Sequence, residues 1–225
     1  MKNLIIYSGG MDSTTLLYEY KDNIALAVNF NYGSKHNERE YEYAKYNCEK
    51  LNIPLLKINL DFMKYFKSHL LKDGGDIPEG YYTEENMKKT VVPFRNGIML
   101  SVAVGLAESN GLKKVLIANH FGDHAIYPDC RSDFIKHFKK AAFYGTWENI
   151  EISAPYTNLT KREVALKGKK LGVDFSKTYS CYKGEKLHCG RCGTCVERLE
   201  ALDGLKDDTK YKDTEYWKKV INRKT

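Results

Sequence analysis

No uninterrupted apolar run in this sequence reaches the ~20 residues that a membrane span requires; the longest, GIMLSVAVGLA beginning at Gly97, stops well short. No secretory leader is expected either, since MKNLIIY is too short for an apolar leader core and runs straight into a glycine loop. These absences lead us to expect a cytoplasmic protein with no membrane partner. Internal repeats and low-complexity tracts are also lacking, which argues against solenoid and fibrous architectures. Cysteine is scarce outside one short segment: four of the six lie between positions 181 and 195. Cysteines dispersed in pairs would suggest disulfides, whereas this crowding favours a metal.

With 225 residues the chain has room for one full core and little for a second. Its formal charge of +7 suits an enzyme of anionic substrates. The basic residues are spread over helical segments such as KREVALKGKKL, without the aromatic interleaving of a nucleic-acid surface. No direct nucleic-acid partner is therefore expected.

The first feature with chemical content is SGGMDST, residues 8–14. Residues 4–7 suit a buried strand and 14–20 can continue as a helix, so the glycine pair turns one into the other. That turn aims backbone N–H groups and the positive end of a helix dipole at one point, which is a site for an anion such as phosphate. A Walker A loop is excluded because Asp12 occupies the place of its lysine, and a dinucleotide fingerprint because Gly9 and Gly10 are adjacent. The hydroxyls of Ser8, Ser13 and Thr14 can donate to phosphate oxygens. Asp12 beside phosphates is repulsive unless a cation lies between them, so Mg²⁺ is expected. The stretch resembles the PP-loop ATP pyrophosphatase signature SGGxDS, matched by Ser8, Gly9, Gly10, Asp12 and Ser13. The resemblance implies ATP as the bound nucleotide, cleaved between its α- and β-phosphates to leave AMP on a substrate oxygen.

Beyond the loop, residues 24–30, 55–60, 114–120 and 150–153 read as further strands, and 36–51, 96–109, 132–144 and 160–171 as helices. The last helix carries a capping box in Thr160 and Glu163 and ends at Gly172. This alternation predicts a parallel sheet flanked by helices, with ligands at the carboxyl ends of the strands. Asn31-Tyr32-Gly33 and residues 119–123 lie at such ends, although Asn31 serves equally well as a turn residue. Residues 61–92 break the rhythm with a glycine- and charge-rich excursion, of the kind that forms a lid or binding loop.

The second strong signal is Cys181, Cys189, Cys192 and Cys195, spaced C-x7-C-x2-C-x2-C. Four thiolates complete a tetrahedral shell, so a closed, structural Zn²⁺ site is expected. A bacterial ferredoxin run also begins CxxCxxC but continues to a further cysteine and a proline, and no cysteine follows Cys195. His188 stands beside a ligand and could replace one. Cys48 and Cys130 read as buried small apolar residues.

A PP-loop near the start and this cysteine site near the end resemble the 7-cyano-7-deazaguanine synthase family (QueC). NYGSKH at 31–36, VPFRN at 92–96, YPDCR at 127–131 and LGVDFSKTYSCYKGEKLHCGRCGTCVER at 171–198 follow that family's blocks in order. The resemblance implies an α/β, Rossmann-like fold of the HUP (adenine nucleotide alpha hydrolase) type. Residues 1–178 would form the ATP pyrophosphatase domain, and 179–225 a zinc-binding and helical segment packed on it.

The resemblance also implies an ATP-dependent ligase that converts 7-carboxy-7-deazaguanine and ammonia to 7-cyano-7-deazaguanine (preQ0), a queuosine precursor, through adenylated intermediates. A homodimer is the assembly expected, and with no glutaminase feature in the chain the ammonia comes from solution or a partner. Carried onto this sequence, the ATP-binding set is Tyr7, Ser8, Gly9, Gly10, Met11, Asp12, Ser13, Thr14, Thr15, Leu16 and Leu17. Asp12, Ser13, Arg95 and Arg131 are the catalytic set, with Arg95 or Arg131 neutralising the α-phosphate or the substrate carboxylate. Asn31, Tyr32, Asn96, Asp129 and Arg131 are the substrate set, Asp129 pairing with a guanine-like N–H edge. Phe94 and the pair His124-Ala125 depart from the family pattern, and if Phe94 narrows the substrate pocket its effect falls on the acid and not on ATP. The alternatives are a paralogue that joins a deazaguanine acid to another amine, and a PP-loop enzyme acting on tRNA.

Overall fold

The sheet is built from β1 (Asn3–Ile6), β2 (Ile24–Asn31), β3 (Leu55–Asn59), β4 (Lys114–Leu116) and β5 (Glu151–Ser153), all parallel, in the order β3-β2-β1-β4-β5. The structure is a computed structural model and describes residues 2–82 and 85–222. Because both faces are covered, the central strand reads as a nearly continuous apolar run, NLII. Alternate side chains serve opposite layers. Leu4, Val28 and Val115 join one core cluster with Leu100, Ala103 and Ala107 of α3 (Arg95–Ser109). Ile5, Ala27 and Leu116 join the other, with Leu16 and Leu17 of α1 (Met11–Tyr20), Ala44 of α2 (Asn37–Lys50) and Val164 of α5 (Lys161–Lys170).

The chain steps outward from β1 to β2 and β3, then crosses back to lay β4 on the other side of β1. A crevice opens at the carboxyl ends of β1 and β4, where the strand order reverses. The strand predicted over 114–120 is paired only through Leu116, with one further bond from Ile117 N to Ser153 O at 3.0 Å. Beyond it Ile117, Ala118 and Asn119 line the crevice instead of extending the ladder. Helix α1 begins at Met11, ahead of residue 14, which puts Asp12 and Ser13 in its first turn. The capping box of α5 forms as predicted, Thr160 N donating to Glu163 Oε2 at 2.7 Å and Glu163 N to Thr160 Oγ1 at 3.2 Å.

Residues 85–109 contain enough apolar character over enough length to cross a membrane by composition alone. They are divided into a 3₁₀ turn (Glu85–Thr90) and α3, with Pro93 between them, and Leu100, Ala103 and Ala107 are buried beneath the sheet. This is the packing of a core helix.

The irregular excursion is anchored by Lys35, whose ammonium donates to the carbonyls of His69, Leu71, Gly74 and Gly75 at 2.7–3.2 Å. It then bridges to the cysteine segment through a β-bridge between Glu79 and Cys192. The cysteine segment leads into α6 (Gly193–Leu202), which packs against α5 and α7 (Tyr216–Ile221). The helix α4 (Ser132–Gly145) covers β5. Arg198 of α6 is fully buried and donates to Phe175 O, Thr178 Oγ1, Ser180 Oγ, Thr209 Oγ1 and the Tyr211 hydroxyl at 2.6–3.1 Å. Those bonds fasten α6 to residues 175–180, and Tyr179 N in turn donates to Gly9 O at 3.0 Å. The cysteine segment and the glycine loop are thus one structural unit.

Candidate active site

The glycine loop is shaped by its neighbours. Gly9 has φ +92°, and a Cβ there would lie 2.3 Å from the carbonyl oxygen of Glu40, so only glycine lets α2 pack this closely. Asn29 holds the loop from β2, its Nδ2 donating to Tyr7 O and Ser8 O at 3.0 and 3.3 Å. Ser8 Oγ accepts from Gly10 N at 3.1 Å and lies 3.0 Å from Ser13 Oγ. Gly10 caps α1 without a side-chain hydrogen bond, which leaves the first-turn N–H groups to a ligand.

At the foot of this loop five ionisable side chains from four elements converge. Asp12 Oδ2 accepts from Lys161 Nζ at 2.5 Å, and Lys161 Nζ also lies 3.6 Å from Glu197 Oε2. His120 Nε2 stands 3.5–3.9 Å from Asp123, Asp12 and Glu197. Burial alone would lower the Lys161 pKa, but Asp12, Glu197 and Asp123 reverse this and hold the ammonium above its usual range. Burial also raises Glu197. Asp12 Oδ1 and Glu197 Oε2 are buried without a hydrogen-bond partner among the described residues, so the cluster has spare oxygen acceptors. A carboxylate oxygen in that position suits a hard cation shared with phosphates.

Above the loop the same cavity, of about 210 Å³, is walled by aromatic residues. Arg95 Nη1 donates to the Tyr32 hydroxyl at 3.1 Å, and its guanidinium lies over the rings of Tyr32 and Tyr127, 5.5 and 5.8 Å from their centroids. Tyr82 arrives from the excursion and donates to Asp123 Oδ1 at 3.0 Å. Tyr182, whose hydroxyl is 3.0 Å from that of Tyr127, arrives from the cysteine segment. His36 and Glu40, one turn apart at the start of α2, complete this end.

Among the predicted residues, Tyr7, Ser8, Gly10, Met11, Asp12, Ser13, Tyr32, Arg95 and Asn96 line the cavity. Gly9 shapes the loop from behind, and Thr14, Thr15, Leu16 and Leu17 face the core. Asn31 acts as a turn residue, its Oδ1 accepting from Gly33 N at 3.2 Å. Asp129 Oδ2 accepts from Asn96 N at 2.7 Å at the head of α3. Arg131 is exposed and donates from Nε to His124 O at 3.0 Å. None of these last three lines the cavity. Phe94 does not narrow it either: it is 56% exposed, has φ +53°, and stacks edge-on against Phe134 at 5.6 Å. The condition under which Phe94 would narrow the pocket is not met in this structure, where its ring lies over Gly97 and against Phe134. The 119–123 strand tail that the sequence marks as a candidate does reach the site, Asn119 and Asp123 lining the cavity and His120 approaching Asp12. Sequence reasoning missed Lys161, Glu197, Glu40 and Tyr82. Lys161 was within reach, since it follows the Thr160 cap at a strand's carboxyl edge.

The four cysteines are buried, and their sulfurs lie within 4.8 Å of one another, Cys189 and Cys195 at 3.9 Å. Four sulfurs about 2.3 Å from a single tetrahedral ion would be roughly 3.8 Å apart. A multi-iron cluster distributes its thiolates over separate irons and holds them further apart. Backbone N–H groups of Cys189, Arg191 and Cys192 donate to these sulfurs at 3.2–3.4 Å. His188 is turned away: its Nε2 accepts from Ser180 N at 3.1 Å, and burial keeps it neutral with a pKa pushed down to about 3.

Residues 2–206 match the family described as "Queuosine biosynthesis protein QueC". A 7-cyano-7-deazaguanine synthase from Porphyromonas gingivalis is 59% identical over 212 residues, covering 93% of this chain and 96% of that one. One from Desulfotalea psychrophila is 49% identical over 93% of this chain and 98% of that one. Among solved structures, the U34-tRNA thiolase NcsA from Methanococcus maripaludis, determined with its 4Fe-4S cluster, matches with a TM-score of 0.50. It covers 99% of this chain and 70% of that one at 17% identity, a likeness of fold alone. With the loop, the cysteine site and a match over most of its length, the chain belongs to the QueC family.

Proposed function

We propose that this chain is a 7-cyano-7-deazaguanine synthase, an ATP-dependent carbon–nitrogen ligase of queuosine biosynthesis. The observation that carries the reading is that one cavity has a phosphate-type loop at one end and an arginine among tyrosine rings at the other. The names of its relatives support the same activity. The carboxylate of 7-carboxy-7-deazaguanine attacks the α-phosphorus of ATP and pyrophosphate leaves. Ammonia then attacks the acyl carbon, expelling AMP and a proton to give the amide. The amide oxygen then attacks the α-phosphorus of a second ATP, expelling pyrophosphate, and departure of AMP with the two remaining nitrogen-bound protons leaves the nitrile.

In this scheme the first-turn N–H groups of α1 with Ser8 and Ser13 bind the phosphates, and Lys161 neutralises the departing pyrophosphate. Arg95, held by Tyr32, orients the substrate carboxylate in a fork geometry. Asp12, whose Oδ1 is buried without a hydrogen-bond partner, would hold Mg²⁺, which when bound would supply charge neutralisation for the phosphates. Zn²⁺ is the ion we assign to the cysteines, as a structural site. A cytoplasmic homodimer is the expected state. Nothing about Phe94 favours a different amine, since its ring lies outside the cavity.

Incubation with ATP, Mg²⁺, ammonia and the acid, followed by mass spectrometry, is expected to yield preQ0, AMP and pyrophosphate, with the amide also accepted as substrate. If neither acid nor amide stimulates AMP release while ATP still binds, this reading is overturned.

A further inference from the structure

Glu40 has no task in the chemistry above, yet it faces the cavity. It lies in the first turn of α2, and its own carbonyl is the atom that forbids a side chain at Gly9. The packing that shapes the phosphate loop therefore also fixes the position of Glu40. Its side chain is 16% exposed, and among the described residues its carboxylate accepts no hydrogen bond. The nearby His36 Nε2, at 3.7 Å, is engaged with the Tyr32 hydroxyl at 3.3 Å. A carboxylate drawn this far out of water without donors is unfavourable. Burial accordingly pushes its acid up to about 8, even with the Arg95 charge opposing.

Two further features narrow the ligand that would satisfy it. Tyr32, Tyr82 and Tyr182 make a cavity for a flat ring, and Arg95, the one arginine lining it among the described residues, can take an anionic or carbonyl group of the same ligand. At the ring end Glu40 stands beside Arg95 and away from the Asp12 cluster, which suits it poorly to a metal, whereas its two oxygens match two adjacent N–H donors on a planar ring.

We propose that Glu40 reads the ring N–H and exocyclic amine of a 2-aminopyrimidinone, and so sets the guanine-type specificity of the cavity. This rests on the reading of the chain as a deazaguanine ligase, and it gives the guanine edge to Glu40 in place of Asp129, which is occupied at the head of α3.

The test compares 7-carboxy-7-deazaguanine with its analogue lacking the exocyclic amine, in ATP–pyrophosphate exchange by the full-length zinc-loaded protein. A site built around a substrate N–H rejects the analogue without it by on the order of 10⁴-fold in kcat/KM. Glu40→Gln is expected to reduce that ratio to below about tenfold, since its amide presents an N–H to the ring's donors. The KM for ATP and the zinc content should stay at parental values. Glu40→Asp, which keeps the charge but shortens the reach, is expected to retain part of the preference.

In parallel, equilibrium binding of 7-deazaguanine and 7-deazahypoxanthine reads the preference without turnover. Exchange activity with an unchanged ratio in Glu40→Gln overturns the Glu40 assignment and leaves the ligase reading intact. No turnover by the parent, together with a binding preference that Glu40→Gln removes, supports Glu40 and rejects the ligase reading. Equal binding of both bases by the parent overturns the assignment outright.

Discussion

The two ends of the cavity are built in opposite ways. The phosphate end comes largely from one local stretch: Ser8, Gly10, Asp12 and Ser13 lie within six residues, and β1, α1 and the packing of Gly9 on α2 dictate their geometry. The ring end is assembled from Tyr32, Glu40, Tyr82, Arg95 and Tyr182, carried by five separate segments. A local motif fails by losing one atom's chemistry, whereas a composite wall fails when any supporting segment moves. The cysteine site belongs to both: its helix delivers Thr194 and Glu197 to the cavity, and Tyr182 follows Cys181 directly.

The largest expected effect follows from that dual attachment. Structural zinc contributes about 10–16 kcal/mol of apparent binding energy in small zinc domains, comparable to the whole stability of a domain. Cys192→Ser should therefore disorder both ends together, giving insoluble or protease-sensitive protein with substoichiometric zinc by elemental analysis. Soluble, active Cys192→Ser protein would show that the segment merely decorates the fold.

Asp12→Ala should act at the phosphate end alone. Loss of a group that stabilises developing charge typically costs on the order of 10²- to 10³-fold in rate. AMP release should fall by that factor, with unchanged zinc content. Parental AMP release by the variant would dissociate the loop from catalysis.

The same contrast explains what could be read in advance. The sheet, the loop and the cysteine site were legible because each depends on short-range signals: apolar runs between helical periods, adjacent glycines, and cysteines three residues apart. Lys161 and Glu197 were not, because their significance lies in reaching one point from α5 and α6. The 119–123 tail after β4 was legible as a candidate, but the convergence of His120 on Asp12 and Glu197 was not. Asp129 and Arg131 sit in a block that resembles a binding motif, yet they cap α3 and tie down the turn at His124. Phe94 is a different case. Its side chain is large, but it packs over Gly97 and against Phe134, and the sequence pattern does not carry those contacts.

A smaller effect should appear at the ring end as pH changes. The Glu40 acid is raised to about 8 in the free protein, and a ligand offering N–H donors binds its ionised form. Affinity is then present above about pH 8 and lost as pH falls through that value. Its neighbours do not titrate with it: burial lowers His36 to about 3, burial raises Tyr32, Tyr82 and Tyr182, and Arg95 remains charged. In ATP–pyrophosphate exchange without ammonia, kcat/KM for the acid should rise about tenfold per pH unit below 7 and flatten above 8. Glu40→Gln should remove this limb. A parental profile that is flat from pH 6 to 8 would mean that the ring end does not depend on the Glu40 charge.

The smallest expected effect is at Phe94, and its smallness is the informative result. Phe94→Gly relieves a left-handed backbone, worth roughly 1–2 kcal/mol to a non-glycine residue. It also loses the edge-on contact with Phe134, worth about 0.5–1.5 kcal/mol, and adds freedom to the unfolded chain, worth about 0.4–1 kcal/mol. These terms nearly cancel, so the thermal midpoint should move by only a few degrees in either direction. Because the ring lies outside α3 and covers Gly97 instead of lining the cavity, KM values for acid and for ATP should both stay within about twofold of the parent, a difference below roughly 0.5 kcal/mol. An increase or decrease in the acid KM alone, beyond about tenfold, would mean that Phe94 swings inward when substrate binds. The composite wall would then have a sixth member that the free protein keeps on its outer surface.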